Sequence, residues 1–416
     1  MGSNPNKPRP RPVAPARRGK IPWSYPCCVL AGMILVLVIG IVTNHYQPAP
    51  ISASAAVKIT SDPSWGVMKE QTLMMDRPAQ AFQDQTPPEI RWVFGGISRE
   101  QLGTLFQSSG LRDDLKSVLT DEKLWQQTKD AITVRPALEI LRELNPGARQ
   151  KIYEVLARTP ENIPQRYPFV LRGSFEDWFA DCPLPKERLR EVRGMVYERS
   201  NVLFFADLPF FQHTAPSNEV FLLARHVSRV PVVLARLSLQ PPAEFAGLKR
   251  YWMSAEKTSH YDPLILSLAR QGRQDLNVST LLPPLPRQLL YRYPRPSTSI
   301  PRNADCVWTS MNFFNEAPDP RFASQEFSSQ ALQTQYRIVP KADALGDIIM
   351  LHKPSAEGIS PLIHMCVQVA GDLVFTKNGG DIYQPWVLMY LEDVRALFSY
   401  EPVIETTVFR RRDRNT

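Results

Sequence analysis

Through residues 98–160 the apolar positions recur three and four apart, the spacing of one helix face. Ser98 and Gln101 make a capping-box pattern ahead of Leu102, Leu105 and Phe106, and further helical patterns start at Thr120, Pro136 and Pro146. They predict a small helical domain over 91–160 with its leucine stripes turned inward. Over 161–295 the periods mix. Ser174 opens a short helix through Trp178, 186–199 is helical, 231–239 alternates like a strand, and 242–252 returns to helix. A mixed α/β region follows, in which Phe204-Phe205, Phe210-Phe211 and Tyr251-Trp252 are core or domain interface. The proline-rich stretch 281–286, followed by Tyr291-Arg292-Tyr293-Pro294, reads as an extended passage into a last domain over 296–416.

In that last domain the pattern places chemistry as well as structure. Val307, Trp308, Met311 and Phe314 recur at helical spacing after a small polar stretch ending at Asp305, so Cys306 falls in the first turn of a helix. Backbone N–H groups there favour a thiolate and can also serve a developing oxyanion. Gly346-Asp347 opens the apolar run 348–351 as a turn and strand start. Residues 363–369 read as a strand, Ala370-Gly371-Asp372 as a tight turn, and 373–377 as the returning strand. A hairpin centred on Gly371 sets Asn378 opposite His364; a register slip of one would bring Lys377 or Gly379 there instead.

A helix-borne cysteine, a strand-borne histidine and a polar residue on the next strand are the parts of a thiol–imidazole catalyst. In this order they give Cys306 as nucleophile, His364 as base and Asn378 as the group fixing the imidazole, with Thr376 and Lys377 as alternatives for the third role. Cys366 shares a strand face with His364 and reads as core; His352 is the competing base.

Asp305-Cys306, Gly346-Asp347, His364 and the 376–378 region, in that order, resemble the NlpC-type cell-wall cysteine peptidases. The resemblance covers about residues 296–400. Val307-Trp308 stand where that family often has Ser-Gly, and Met365-Cys366-Val367-Gln368 where it usually has a short Gly-containing strand ending in Tyr. The resemblance implies a papain-like cysteine hydrolase core with an antiparallel sheet; with the helical region before it and the N-terminal transmembrane helix that the apolar run below predicts, the expected fold class is α+β. The resemblance also implies amide hydrolysis in peptidoglycan stem peptides. An amidase or acyltransferase on the same core, or an inactive envelope-binding scaffold, is the alternative.

The N-terminus sets where such a site would work. Residues 1–26 carry Lys7, Arg9, Arg11, Arg17, Arg18 and Lys20 without an acid and predict a disordered cytoplasmic tail. Residues 27–43 form an uncharged apolar run which, at ~1.5 Å per residue, is about 25 Å long, enough for a short signal anchor. The Ala53-Ser54-Ala55 tripeptide resembles a cleavage site but lies well past that run. Residues 44–90, rich in Pro, Ser, Gln and Ala, read as a linker, with everything beyond them extracytoplasmic. The net charge of +8 gathers at the basic tail and at Arg410-Arg411-Arg412 with Arg414, which argues against a nucleic-acid partner and for contact with a membrane surface. Cys182, Cys306 and Cys366, the cysteines past the membrane, are too few for a disulfide scaffold. No CxxC pair or HExxH element is present, and neither metal nor cofactor is expected.

Overall fold

The computed structural model describes residues 57–82, 86–199, 202–238, 245–252, 275–354, 361–398 and 403–412. The expected tail over 1–26, the expected anchor over 27–43 and the Ala53-Ser54-Ala55 tripeptide lie outside them. Among the described residues no helix is long and apolar enough to cross a membrane. The fold is α+β, and every strand pairing among the described residues is antiparallel.

The first elements among the described residues are a hairpin, β1 (Lys58–Asp62) and β2 (Gly66–Met75), inside the stretch that composition marks as a linker. The expectation of a linker over 44–90 is therefore corrected for these residues. The cause is non-local pairing. β2 is polar at Lys69, Glu70, Gln71 and Thr72 and finds its main partner more than 150 residues later.

Three strands follow as one small sheet: β3 (Trp92–Gly95), β4 (Trp125–Gln127) and β5 (Ala131–Val134), with β5 in the middle. A second small sheet comprises β6 (Phe169–Leu171), β7 (Tyr197–Arg199) and β8 (Val202–Phe205), with β8 central. Helices Arg99–Ser108 and Pro146–Leu156 begin on side-chain caps: Ser98 and Gln101 form the capping box, and Asn145 accepts from the Ala148 N–H. One core runs through all of this from Trp92 to Val227. A boundary near residue 160 therefore does not separate two cores, and the region is helix with sheet rather than helix alone.

β9 (Val230–Ser238) returns to pair with β2 along its length, and β10 (Asp275–Asn277) adds to its other edge, giving the order β1-β2-β9-β10. The six remaining strands are β11 (Tyr336–Val339), β12 (Ile348–His352), β13 (Leu362–Ala370), β14 (Leu373–Lys377), β15 (Trp386–Tyr390) and β16 (Glu405–Arg411). They form one sheet in the order β11-β16-β12-β13-β14-β15. Its two faces bury different sets. Met365, Val367, Val369, Phe375, Trp386 and Leu388 join the core that holds Cys306, Trp308 and Met311. Cys366, Val374, Val387 and Met389 join the core beneath the other face.

Gly346 has φ +90°, and a Cβ there would come within 2.0 Å of the Phe314 ring, so the turn before β12 requires glycine. Asp347 locks that turn by accepting the N–H groups of Asp343 and Ala344 at 3.0 Å each while its carboxylate pairs with Arg410. Its role is structural.

Candidate functional site

The helix Cys306–Met311 packs on β13 and β14, and Asp305 starts it by accepting the Trp308 N–H at 2.9 Å. Cys306 thus stands at the first helical position, as the apolar spacing predicts. The thiol is 8% exposed, and burial followed by the Asp305 carboxylate pushes it up to about 11. The backbone N–H groups of Met365, Val307 and Cys306 itself act in the opposite direction.

His364 is buried at 1% exposure, and burial depresses its imidazole to about 3. One ring face stacks on Phe398, with centroids 4.9 Å apart. Strand alternation sends His364 and Cys366 to one face of the sheet and Met365 to the face under the Cys306 helix. Among the described residues no hydrogen bond joins the Cys306 sulfur to the imidazole. The two meet only through the backbone of β13.

His364 Nε2 lies 2.8 Å from Thr376 Oγ1, whose hydroxyl donates to Asn378 Oδ1 at 3.2 Å. With the single hydroxyl proton spent on Asn378, the Thr376 oxygen accepts from the ring, so Nε2 carries the imidazole proton and Nδ1 is the basic nitrogen. The β13–β14 ladder pairs Val367 with Phe375 and Gln368 with Val374, the register of a hairpin centred on Gly371, then shifts before Ala370–Leu373. Residues 364, 376 and 378 consequently share a face, and Thr376, not Asn378, touches the ring. Asn378 acts one bond further out, its Nδ2 3.2 Å from Met389 Sδ.

Lys377 points the other way, onto the face under the Cys306 helix. It is fully buried, donates to the carbonyls of Gly379 at 2.6 Å and Asp381 at 2.9 Å, and is lowered to about 8 by burial, against the pull of Asp381, Asp305 and Cys306. Its place beside the thiol has no local signal, because nothing in the sequence of β14 says which face meets a helix 66 residues earlier. His352, the competing base, is held by Thr407 on β16 at 2.8 Å. Cys366 is fully buried, and burial raises its thiol. Cys182, Cys306 and Cys366 are all free thiols. No group of three or more His, Cys, Asp or Glu side chains among the described residues is placed to hold a metal ion.

Comparison of the chain with protein-family models, with curated proteins and with solved structures finds no match.

Proposed function

We propose that the protein is a cysteine hydrolase cleaving amide bonds, with a papain-like core over 296–416 held outside the membrane by an anchor at 27–43. Cys306 is the nucleophile, His364 the base through Nδ1, and Thr376 with Asn378 the pair that sets the imidazole tautomer. The observation that carries this reading is the place of Cys306 at the first turn of a helix packed on β13, the strand that bears His364, whose Nε2 is engaged by Thr376. Burial holds the resting groups as thiol and neutral imidazole, and because their side chains lie on opposite faces of β13, that strand must rearrange to bring Nδ1 to the thiol before proton transfer can accompany formation of the S–C bond to the substrate carbonyl. The Cys306 and Val307 N–H groups belong to the first turn of the helix, where they can stabilise the oxyanion. The imidazolium then returns its proton to the leaving amine as the C–N bond breaks, and water hydrolyses the thioester. The resemblance to NlpC-type peptidases makes peptidoglycan stem peptides the substrate class.

A scaffold with an inactive core is the second reading, favoured by the burial of both groups and by the missing hydrogen bond between them. Mass spectrometry of products released from purified cell wall separates the two. Cys306→Ser and His364→Ala should each lower turnover at least ~10³-fold, and the double variant should lose little more, because the two act as a unit. No product from the wild type, together with iodoacetamide labelling of Cys306 that is no faster than that of Cys182 and unchanged by His364→Ala, would establish the scaffold.

A further inference from the structure

We propose that Lys377 is a positioning residue for Cys306: it clamps the 379–381 loop onto the turn that presents the nucleophile and supplies the buried positive charge the sulfur needs in attack. The inference rests on the preceding reading only in taking Cys306 as the reacting group. Its first support is mechanical. The Lys377 ammonium gathers the carbonyls of Gly379 and Asp381, and Gly380 between them packs on the turn before the helix. A Cβ at Gly380 would come 3.5 Å from the Asn303 carbonyl oxygen and 3.9 Å from the Asp305 Cβ. Asp305 is the residue that caps the Cys306 helix. On the neighbouring strand, Trp386 pairs with Lys377, has its ring centroid 5.9 Å from the ammonium, and donates from Nε1 to Thr309 of the same helix at 2.9 Å. Loop, strand and helix are thus tied together around one cation.

The second support is electrostatic. Asp305 is needed as a cap, yet its carboxylate opposes a negative sulfur beside it. Lys377 is the fully buried cation on that side. The charged groups acting on it are Asp381, itself 4.0 Å from Arg77, and Asp305 and Cys306 from the helix. A lysine this buried would ordinarily be expelled or neutralised. Two carbonyl acceptors and the acidic side of the helix turn retain it.

The test reads thiol ionisation, so it is independent of whether any substrate is cleaved. In full-length protein, the rate of Cys306 alkylation by iodoacetamide is followed against pH by peptide mass spectrometry, with the fold of each variant checked by circular dichroism. Lys377→Gln, which keeps donors but loses charge, and Lys377→Met, which loses both, should slow labelling at pH 7.5 by about tenfold, equivalent to about one pKa unit in the thiol. Lys377→Arg should stay within about twofold of wild type, since it keeps a permanent charge. A folded uncharged variant that labels at the wild-type rate across the pH range overturns the proposal. Loss of turnover with no change in labelling would count against the hydrolase reading alone.

Discussion

Two buried clusters of ionisable side chains, one in each half of the molecule, are built on opposite plans. In the first core Arg149 is fully buried and donates to Asp207 at 2.6 Å and to the Leu141 carbonyl at 2.6 Å, while Tyr153 donates to the other Asp207 oxygen at 2.6 Å. Burial keeps the Asp207 carboxyl above its ordinary value, and the Arg149 guanidinium and the Tyr153 hydroxyl, both bonded to it, oppose that rise. In the second half Cys306, His364 and Lys377 are as deeply buried, but none has an opposite charge bonded to it. The thiol is raised and the other two are lowered, each chiefly by burial. The difference lies in the partners: the first cluster places opposite charges in direct contact, whereas the second leaves each group without a bonded counter-charge, the condition under which a perturbed group is a candidate for chemistry.

The largest effect should come from breaking the compensated cluster. Asp207→Ala strands the Arg149 guanidinium in the core and should lower stability by roughly 3–5 kcal/mol, while Asp207→Ala combined with Arg149→Met should recover much of that loss. Urea unfolding measures both. Iodoacetamide labelling of Cys306 should be unchanged in the folded fraction. A loss below about 1 kcal/mol for Asp207→Ala would mean that water reaches the pair, and the contrast with the second cluster would fail.

The contrast was only half legible in the sequence. The Cys306 helix start, the 363–377 hairpin and its register follow from local signals: a small polar stretch before a helical period, and two apolar runs around Gly371. The rest depends on long-range packing. Asn378 is opposite His364 by register, yet side-chain contact is decided by which residues share a face, which gives the ring to Thr376. The alternation of β14 puts Lys377 on one face or the other but cannot say that the helix covers that face. Asp207 carries no local mark of an ion pair, because its partner lies 58 residues earlier. The β1–β2 hairpin looked like linker for the same reason: a strand in mid-sheet is half defined by a partner elsewhere in the chain.

The intermediate effect sharpens the role of the hydroxyl relay. Thr376→Val removes the acceptor that fixes the Nε2–H tautomer, so turnover should fall by up to about 10²-fold, the lower end of a general-base contribution. Asn378→Ala only frees the Thr376 hydroxyl to turn toward the ring and should cost less, while Thr376→Ser should restore most of the rate. Kinetics on cell-wall fragments decides the ranking. A larger loss in Asn378→Ala than in Thr376→Val would mean that Asn378 meets the imidazole directly during turnover.

The smallest effect concerns acid stability, and it follows from the uncompensated burial of His364. Its folded value of about 3 lies below the ordinary value of 6.5, so between these limits the unfolded chain binds a proton that the folded chain does not. Stability then rises with pH across that window: it is unaffected by this residue above about pH 6.5 and falls as the solution is acidified below it, by at most about 1.4 kcal/mol per pH unit. Urea unfolding at steps from pH 7 to pH 4.5, wild type beside His364→Gln, isolates the contribution, because other groups titrate in both proteins. The wild-type curve should be the steeper one on the acid side, with the two parallel above pH 6.5. Parallel curves throughout would show that His364 reaches solvent and protonates without unfolding, and the second cluster would then be no more closed to protons than the surface.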